Sequence, residues 1–336
     1  MEEEAPLDPD RPIIDPHLHL WEIFADPLGL RAAQRFLLHE AAAMIAASGH
    51  NITHTVFLEC HTMYRAEGPV ELRPVGETEF AAGQAAISAS GNYGPARIAH
   101  RIVGTANLLL GDKVAPVLEA HVAVAPQRFR GIRMGVAYSV ARMFGMAANA
   151  TPMRHMTRPE FREGARILAK MGLSLDVWCF HTQLAELIEF ADSLPELAIV
   201  LDHIGTPESM GAYAGRAAVA RSEWAPLIAE LAKRPNVTIK LGGLGMDISG
   251  GIGSVSRGQS SQQLAAQWRP YLETCIEAFT PSRAMFESNF PPDNAAGSYG
   301  ATWNAFKRIA AGCSEEEKDA LFSGTAARVY GIDLDG

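Results

Sequence analysis

The sequence predicts an α/β fold of one kind, a (β/α)₈ TIM barrel in a single domain with long loops on the C-terminal face. Three observations lead there. Eight short apolar runs are spaced along the chain, amphipathic stretches separate most of them, and 336 residues suffice for one barrel of eight such units. Parallel strands need crossover connections, so the alternation selects a parallel sheet. A doubly wound open sheet is the rival. A GxGxxG turn between an early strand and a helix, its usual nucleotide signature, is missing from the start of the chain.

The strand candidates, in order, are "PIIDPHLHL", "HTVFLECH", "AHRIVGTANLLL", "RFRGIRMGV", "LSLDVWCFH", "AIVLDHIG", "VTIKLGGLGM" and "AMFESNFPPD". Helix-like periodicity covers 159–171, 183–193, 224–234 and 264–279. The tail over 314–330 opens on Ser-Glu-Glu-Glu, an N-cap serine followed by acids in the first turn. Residues 1–12, acidic and proline-broken, read as an N-terminal extension, and 13–336 as the barrel domain. Long segments follow strands two (61–76), four (137–158), six (205–222) and seven (246–262). In a barrel all four leave on the face that carries the active site. Within the last, "ISGGIGSVSRGQSSQQ" reads as a lid or as a solvated loop.

Composition narrows the partners. Hydrophobic residues make up 48% and charged residues 20%, an ordinary globular balance. A net charge of −9, with no lysine/arginine cluster, argues against nucleic acid. No apolar run reaches membrane-spanning length, and the N-terminus reads as neither signal nor transit peptide. Cys60, Cys179, Cys275 and Cys313 are scattered, without CxxC spacing, as expected of reduced thiols in a cytoplasmic protein.

Polar residues gather where the runs end. Strand alternation puts Asp15, His17 and His19 on one face, Glu59 and His61 on another, and Glu287 and Asn289 on a third. His181 ends run five, His203 ends run six, Lys240 lies in run seven, and Asp293 follows run eight. Two histidines two apart can both reach one small object, either a metal ion or a substrate. A barrel interior is normally filled with branched apolar side chains, so polar groups at several strand ends point to a site. Taken singly each can be a satisfied buried group, His61 and Lys240 above all.

These residues carry a resemblance. His-x-His on strand one, a histidine ending strand five, "LDHIG" on strand six and a polar motif before proline on strand eight resemble the amidohydrolase superfamily. The similarity is to its amidohydrolase 2 branch of lactonase-like TIM-barrel hydrolases, which includes 2-pyrone-4,6-dicarboxylate lactonase, sugar-acid lactonases and sulfomuconolactone hydrolase. It runs from Ile13 to Tyr330. The resemblance implies that His17, His19, His181 and His203 hold a metal or polarise a carbonyl. It implies at most one divalent ion per chain, Zn²⁺ as the first expectation, or none. "RGIRMGV" offers Arg133 but no lysine or glutamate to bridge two metals.

Strand eight departs from the pattern. Related hydrolases place a catalytic aspartate where this chain has Asn289, which carries no charge. Glu287 is the first expectation for the base that activates water, its pKa raised by desolvation, and Asp293 the second. An ion pair between Glu287 and Lys240 is the competing reading. Arg133 and Arg65 are candidates for a substrate carboxylate, with ordinary ion pairing as the alternative. Glu59, His61, Lys240 and Asn289 complete the substrate-facing set. The expected activity is hydrolysis of a lactone, or a related cyclic ester or amide, of a small carboxylic acid. A metal-dependent decarboxylase of an aromatic or unsaturated acid is the alternative, and a catalytically weakened ligand-binding homologue is the third. Homo-oligomerisation stays open.

Overall fold

The computed structural model describes residues 4–23, 34–139, 141, 154–246 and 258–334. Eight parallel strands form one sheet in sequence order: β1 (Ile13–Leu18), β2 (Ile52–Leu58), β3 (Arg97–Gly104), β4 (Phe129–Arg133), β5 (Ser174–Val177), β6 (Ile199–Leu201), β7 (Val237–Leu241) and β8 (Ala284–Phe286). The seam between the first and last strands is closed just beyond β8. Leu18 bridges Phe290, His19 N–H donates to Phe290 O at 2.9 Å, and Asn289 N–H donates to His17 O at 3.1 Å. A helix follows each strand: α1 (Leu38–Ser48), α2 (Val75–Ala89), α3 (Ala115–Val124), α4 (Pro159–Lys170), α5 (Leu184–Ser193), α6 (Ala217–Leu231), α7 (Ser261–Phe279) and α8 (Tyr299–Ile309). This is the predicted (β/α)₈ barrel.

The element bounds differ from expectation for identifiable reasons. The third strand stops at Gly104, and Leu108–Val114 forms 3₁₀ turns started by the Asn107 side chain, which accepts from Leu109 N–H. Helix α7 begins before the apolar period does, because Ser260 caps it by accepting from Gln263 N–H and its first turn is polar. Helix α6 begins seven residues earlier than its apolar stripe and carries Pro226 inside. A short antiparallel hairpin, Trp21–Ile23 with Gln34–Phe36, lies outside the barrel sheet. The glycine-rich stretch of "ISGGIGSVSRGQSSQQ" lies outside the described residues up to 257.

Two cores hold the fold. The larger lies between the sheet and the helices and includes the fully buried Trp224, Trp268 and Trp303. The smaller joins Ile14, Val56, Leu58, Val103, Val200 and Met285 with Tyr330 of the helix Thr325–Tyr330. It draws on five strands, as the floor of a barrel must. Above that floor the interior turns polar.

The segment before β1 is strapped to the outside. Glu4 accepts from Ser261 N–H at 2.7 Å, Leu7 N–H donates to Asn304, and Lys307 Nζ donates to the carbonyls of Leu7 and Asp8 at 2.8 and 2.7 Å. Arg11 pairs with Asp8, Glu315 and Asp319. No described helix is long and apolar enough to cross a membrane.

Candidate active site

The end of β1 and the turn after β8 are laced together by one carboxylate. Asp15 Oδ1 accepts from the backbone N–H groups of His17 and Ser288, at 3.3 and 3.1 Å. Its Oδ2 accepts from the hydroxyls of Ser288 and Tyr299, at 2.5 and 3.0 Å. With every lone-pair direction used, Asp15 positions the seam and is not free to act on a substrate.

Directly above it His17, His203 and Glu287 converge, all buried, with ligand-type atoms within 4.8 Å of one another. Glu287 Oε1 accepts from His203 Nδ1 at 2.7 Å and from His203 N–H at 3.0 Å. Its Oε2 stands 2.6 Å from His17 Nδ1 but lacks hydrogen-bond alignment. Burial would push the Glu287 carboxyl up, but the imidazoles of His203 and His17 outweigh it and hold the group well below the usual carboxylate range. The expected rise in its pKa therefore does not occur. Two glycines make room. A Cβ on Gly242 would lie 2.2 Å from Glu287 O, and one on Gly243 would lie 2.3 Å from His203 Cγ.

His19 sits beside this group, its ring 4.9 Å from that of His17 and edge-on to it. Its Nδ1 contacts Leu58 O at 2.9 Å, which fixes the Nδ1–H tautomer and leaves Nε2 with its lone pair. Burial, then His17 and Arg133, hold His19 well below its usual pKa, so it is neutral.

A layer of buried charge surrounds the histidines. Lys240, fully buried, pairs with Asp176 at 2.7 Å and Asp202 at 3.0 Å. Arg133 Nε donates to Glu59 Oε1 at 2.8 Å, and its Nη1 lies 3.3 Å from His17 Nε2 and 3.7 Å from Asp202 Oδ2. Asp176 also accepts from Tyr330 OH at 2.7 Å. Four carboxylates (Glu59, Asp176, Asp202, Glu287) face the cations Arg133 and Lys240, with His17 and His203 among them. Glu59 Oε2, Glu287 Oε2 and both Asp202 oxygens are buried without a hydrogen-bond partner. Buried carboxylate oxygens without hydrogen bonds are costly, and a divalent cation at this centre would offset that cost. The donor set, imidazole nitrogens and a carboxylate, suits zinc and its neighbours.

Asn289 does not share a strand face with Glu287. Strand β8 ends at Phe286, and Asn289 takes the left-handed backbone conformation, φ 52°, that asparagine tolerates. Its Nδ2 donates to Asp293 Oδ1 at 2.7 Å, and Gly245 N–H donates to Asp293 Oδ2 at 2.8 Å. Burial pushes the Asp293 carboxyl up to about 7, against the lowering by Gly245 N–H, His203 and Asn289.

Other candidate residues fall elsewhere. His61 also has positive φ, 60°, which ends the alternation expected from Glu59; its side chain is 74% exposed and meets Tyr64 OH. Arg65 pairs with Glu79 at the surface. His181 stands outside the metal-type group. Its Nδ1 accepts from Glu208 N–H at 3.1 Å, its ring lies against Tyr213, and its Nε2 is 3.7 Å from Glu223. Lys240 pairs with Asp176 and Asp202 and not with Glu287. Sequence reasoning placed Asp15 on the face of His17 and His19 without giving it a role, and passed over Asp176, Asp202 and Trp178. An aspartate inside an apolar strand, as in "LSLDV", is a signal that it missed, because such a charge persists only with a partner such as Lys240.

Comparison with known proteins adds the following. The family model described as amidohydrolase matches residues 14–332. The chain is 32% identical over 340 residues to the uncharacterized protein y4mH of Sinorhizobium fredii, across 96% of this chain and 99% of that one. It is 32% identical over 178 residues to an L-fucono-1,5-lactonase of Burkholderia multivorans, across 52% of this chain and 56% of that one. A Burkholderia multivorans amidohydrolase solved with bound zinc superposes with a TM-score of 0.71 at 25% identity, covering 96% of this chain and 99% of that one.

Proposed function

The chain belongs to the amidohydrolase family, and from that premise we propose that it hydrolyses a lactone or related cyclic ester, with Asp293 as the general base. One observation carries this reading. The resemblance puts a carboxylate at the position of Asn289, and here the buried carboxylate of Asp293, four residues later, accepts from Asn289 Nδ2 at 2.7 Å. Its pKa near 7 suits proton transfer at neutral pH, whereas both oxygens of Glu287 face the imidazoles of His203 and His17.

His17, His203 and Glu287 would hold a divalent ion, with His19 Nε2 beside them. Zinc is the first expectation, because the Burkholderia multivorans amidohydrolase was solved with it. When bound, such an ion supplies Lewis-acid polarisation of the carbonyl and acidifies water. The protein's own residues do the rest. Asp293 takes a proton from water as the water oxygen bonds to the carbonyl carbon. The ring C–O bond breaks, and the departing alkoxide recovers the proton from Asp293. Glu287 orients the His203 imidazole, and Lys240 and Arg133 pair with Asp202 and Glu59 around it. Arg133 and Arg65, expected to grip a substrate carboxylate, are already engaged by Glu59 and Glu79.

The test is metal analysis of freshly purified protein, coupled to proton release from a panel of lactones and carboxylic acids before and after chelation. A lactonase yields a product heavier by one water. Loss of carbon dioxide from an acid would replace this reading with decarboxylation. Full turnover after chelation would remove the metal from the reaction.

A further inference from the structure

The rim of the site is apolar on one side, and Arg133, Arg65 and Lys240 are each held in ion pairs. Asp176 of β5 reaches inward to Lys240, and the strand's last residue, Val177, is directly followed by Trp178. Its ring stands 6.5 Å from that of His203 at 69°, and 6.0 Å from that of Phe180. Trp178 Nε1 donates to Thr206 Oγ1 at 3.1 Å, which sets the orientation of the indole. Ala137, Phe180 and Met246 form a small apolar cluster separate from both cores, with Trp178 and Met210 packed on it. Met246 follows a residue in tight contact with the base: a Cβ on Gly245 would lie 2.8 Å from Asp293 Cβ. The wall therefore flanks both His203 and Asp293.

Charge at this rim is acidic. Glu208 is buried with Ser139 as its partner, Glu223 stands beyond His181, and Asp293 lies beneath. Among the described residues the cations nearby are occupied: Arg133 by Glu59, Arg65 by Glu79, and Lys240 by Asp176 and Asp202 below. Among the described residues, none of these three is left free to grip an entering carboxylate in two-point fashion.

Resting on the hydrolase reading, we infer that the substrate is an uncharged lactone with a flat apolar face, an aryl-fused or conjugated ring, lying against Trp178, Met210 and Met246. A polyhydroxylated ring would leave its hydroxyls unpaired against this wall. A flat π-system gains from the indole and from the polarisable thioethers.

The experiment has a catalytic and a binding arm. The first compares kcat/KM for a benzo-fused δ-lactone, its ring-carboxylated analogue and a six-membered aldonolactone. The second measures by calorimetry the binding of the non-hydrolysable benzo-fused lactam and its carboxylated analogue. We expect the neutral aryl lactone to lead both others by tenfold or more, and the neutral lactam to bind at least tenfold tighter than the acid. Trp178→Ala should erase most of that preference, with the loss falling on KM for the aryl lactone. Trp178→Phe, which keeps a ring but loses the bond to Thr206, should keep the preference and guards against misfolding. If the lactam preference holds and no lactone is opened, the hydrolase reading fails and the wall stands. If lactones are opened but the acid or the aldonolactone leads, or Trp178→Ala changes nothing, the inference about the wall is overturned.

Discussion

Replacing Asp293 with asparagine should cost activity and yet stabilise the fold, in a pH-dependent way. The carboxyl is fully buried and its pKa rises from 3.8 to about 7. A raised acid pKa means that the folded state disfavours the ionised form. The associated stability is fully present below 3.8 and is lost as pH rises to 7. Above 7 the loss is about 4 kcal/mol, from roughly 1.4 kcal/mol for each unit between the two values. The neutral amide escapes that penalty. It retains one acceptor for two donors, Gly245 N–H and Asn289 Nδ2, and so forfeits a hydrogen bond worth about 1 kcal/mol. The expected net gain for Asp293→Asn is about 3 kcal/mol at pH 8, shrinking by about 2.5 kcal/mol at pH 5. Urea denaturation of both proteins in chelator, at the two pH values, reads this difference directly. Turnover of the same variant should fall by about two orders of magnitude or more, the scale for a general base. Equal destabilisation at both pH values, or near-normal turnover, would refute the reasoning.

Three further outcomes follow from the same geometry. Glu287→Gln presents an amide N–H₂ to one of two imidazoles that now face carboxylate oxygens, so bound metal should drop from one ion per chain to a small fraction by elemental analysis, with turnover falling alongside. Lys240→Met strands Asp176 and Asp202 in the interior and should cost about 3–5 kcal/mol in denaturant titration, more than a surface ion pair would. His121, buried between Thr78 Oγ1 and Thr105 O, has its pKa lowered from 6.5 to about 4 by burial. Its neutral form is what the fold accepts, so stability is present above 6.5 and is lost as pH falls toward 4, by up to about 3 kcal/mol. In His121→Gln the decline of stability over that window should be visibly shallower.

Much of this was legible in the sequence because barrel strands are short apolar runs and polar residues at their ends are conspicuous. His17, His203 and Glu287 were each named from position alone. Their roles were harder to read. Alternation predicts faces only while the strand lasts, and the backbone turns left-handed at His61, His203 and Asn289, sending side chains where a period of two does not reach. That is why His61 lies in solvent and why Asn289 meets Asp293 instead of Glu287. Which imidazoles Glu287 touches, and that Asp293 meets Asn289, are distances that no pattern encodes. Asp176 and Asp202 were hidden inside apolar runs, where the eye follows the hydrophobic residues.

The seam has a consequence for how the protein is made. Asp15 and Ser288, whose bond joins the first strand to the turn after the last, are 273 residues apart. At ordinary translation speed the ribosome needs on the order of tens of seconds to deliver the second after the first. Throughout that interval His17 has no Glu287, Asp15 has no serine or tyrosine to hold, and the first strand has an open edge. Any cation held by His17, His203 and Glu287 would therefore be captured late in biosynthesis, and a chain halted before β8 would expose that open edge.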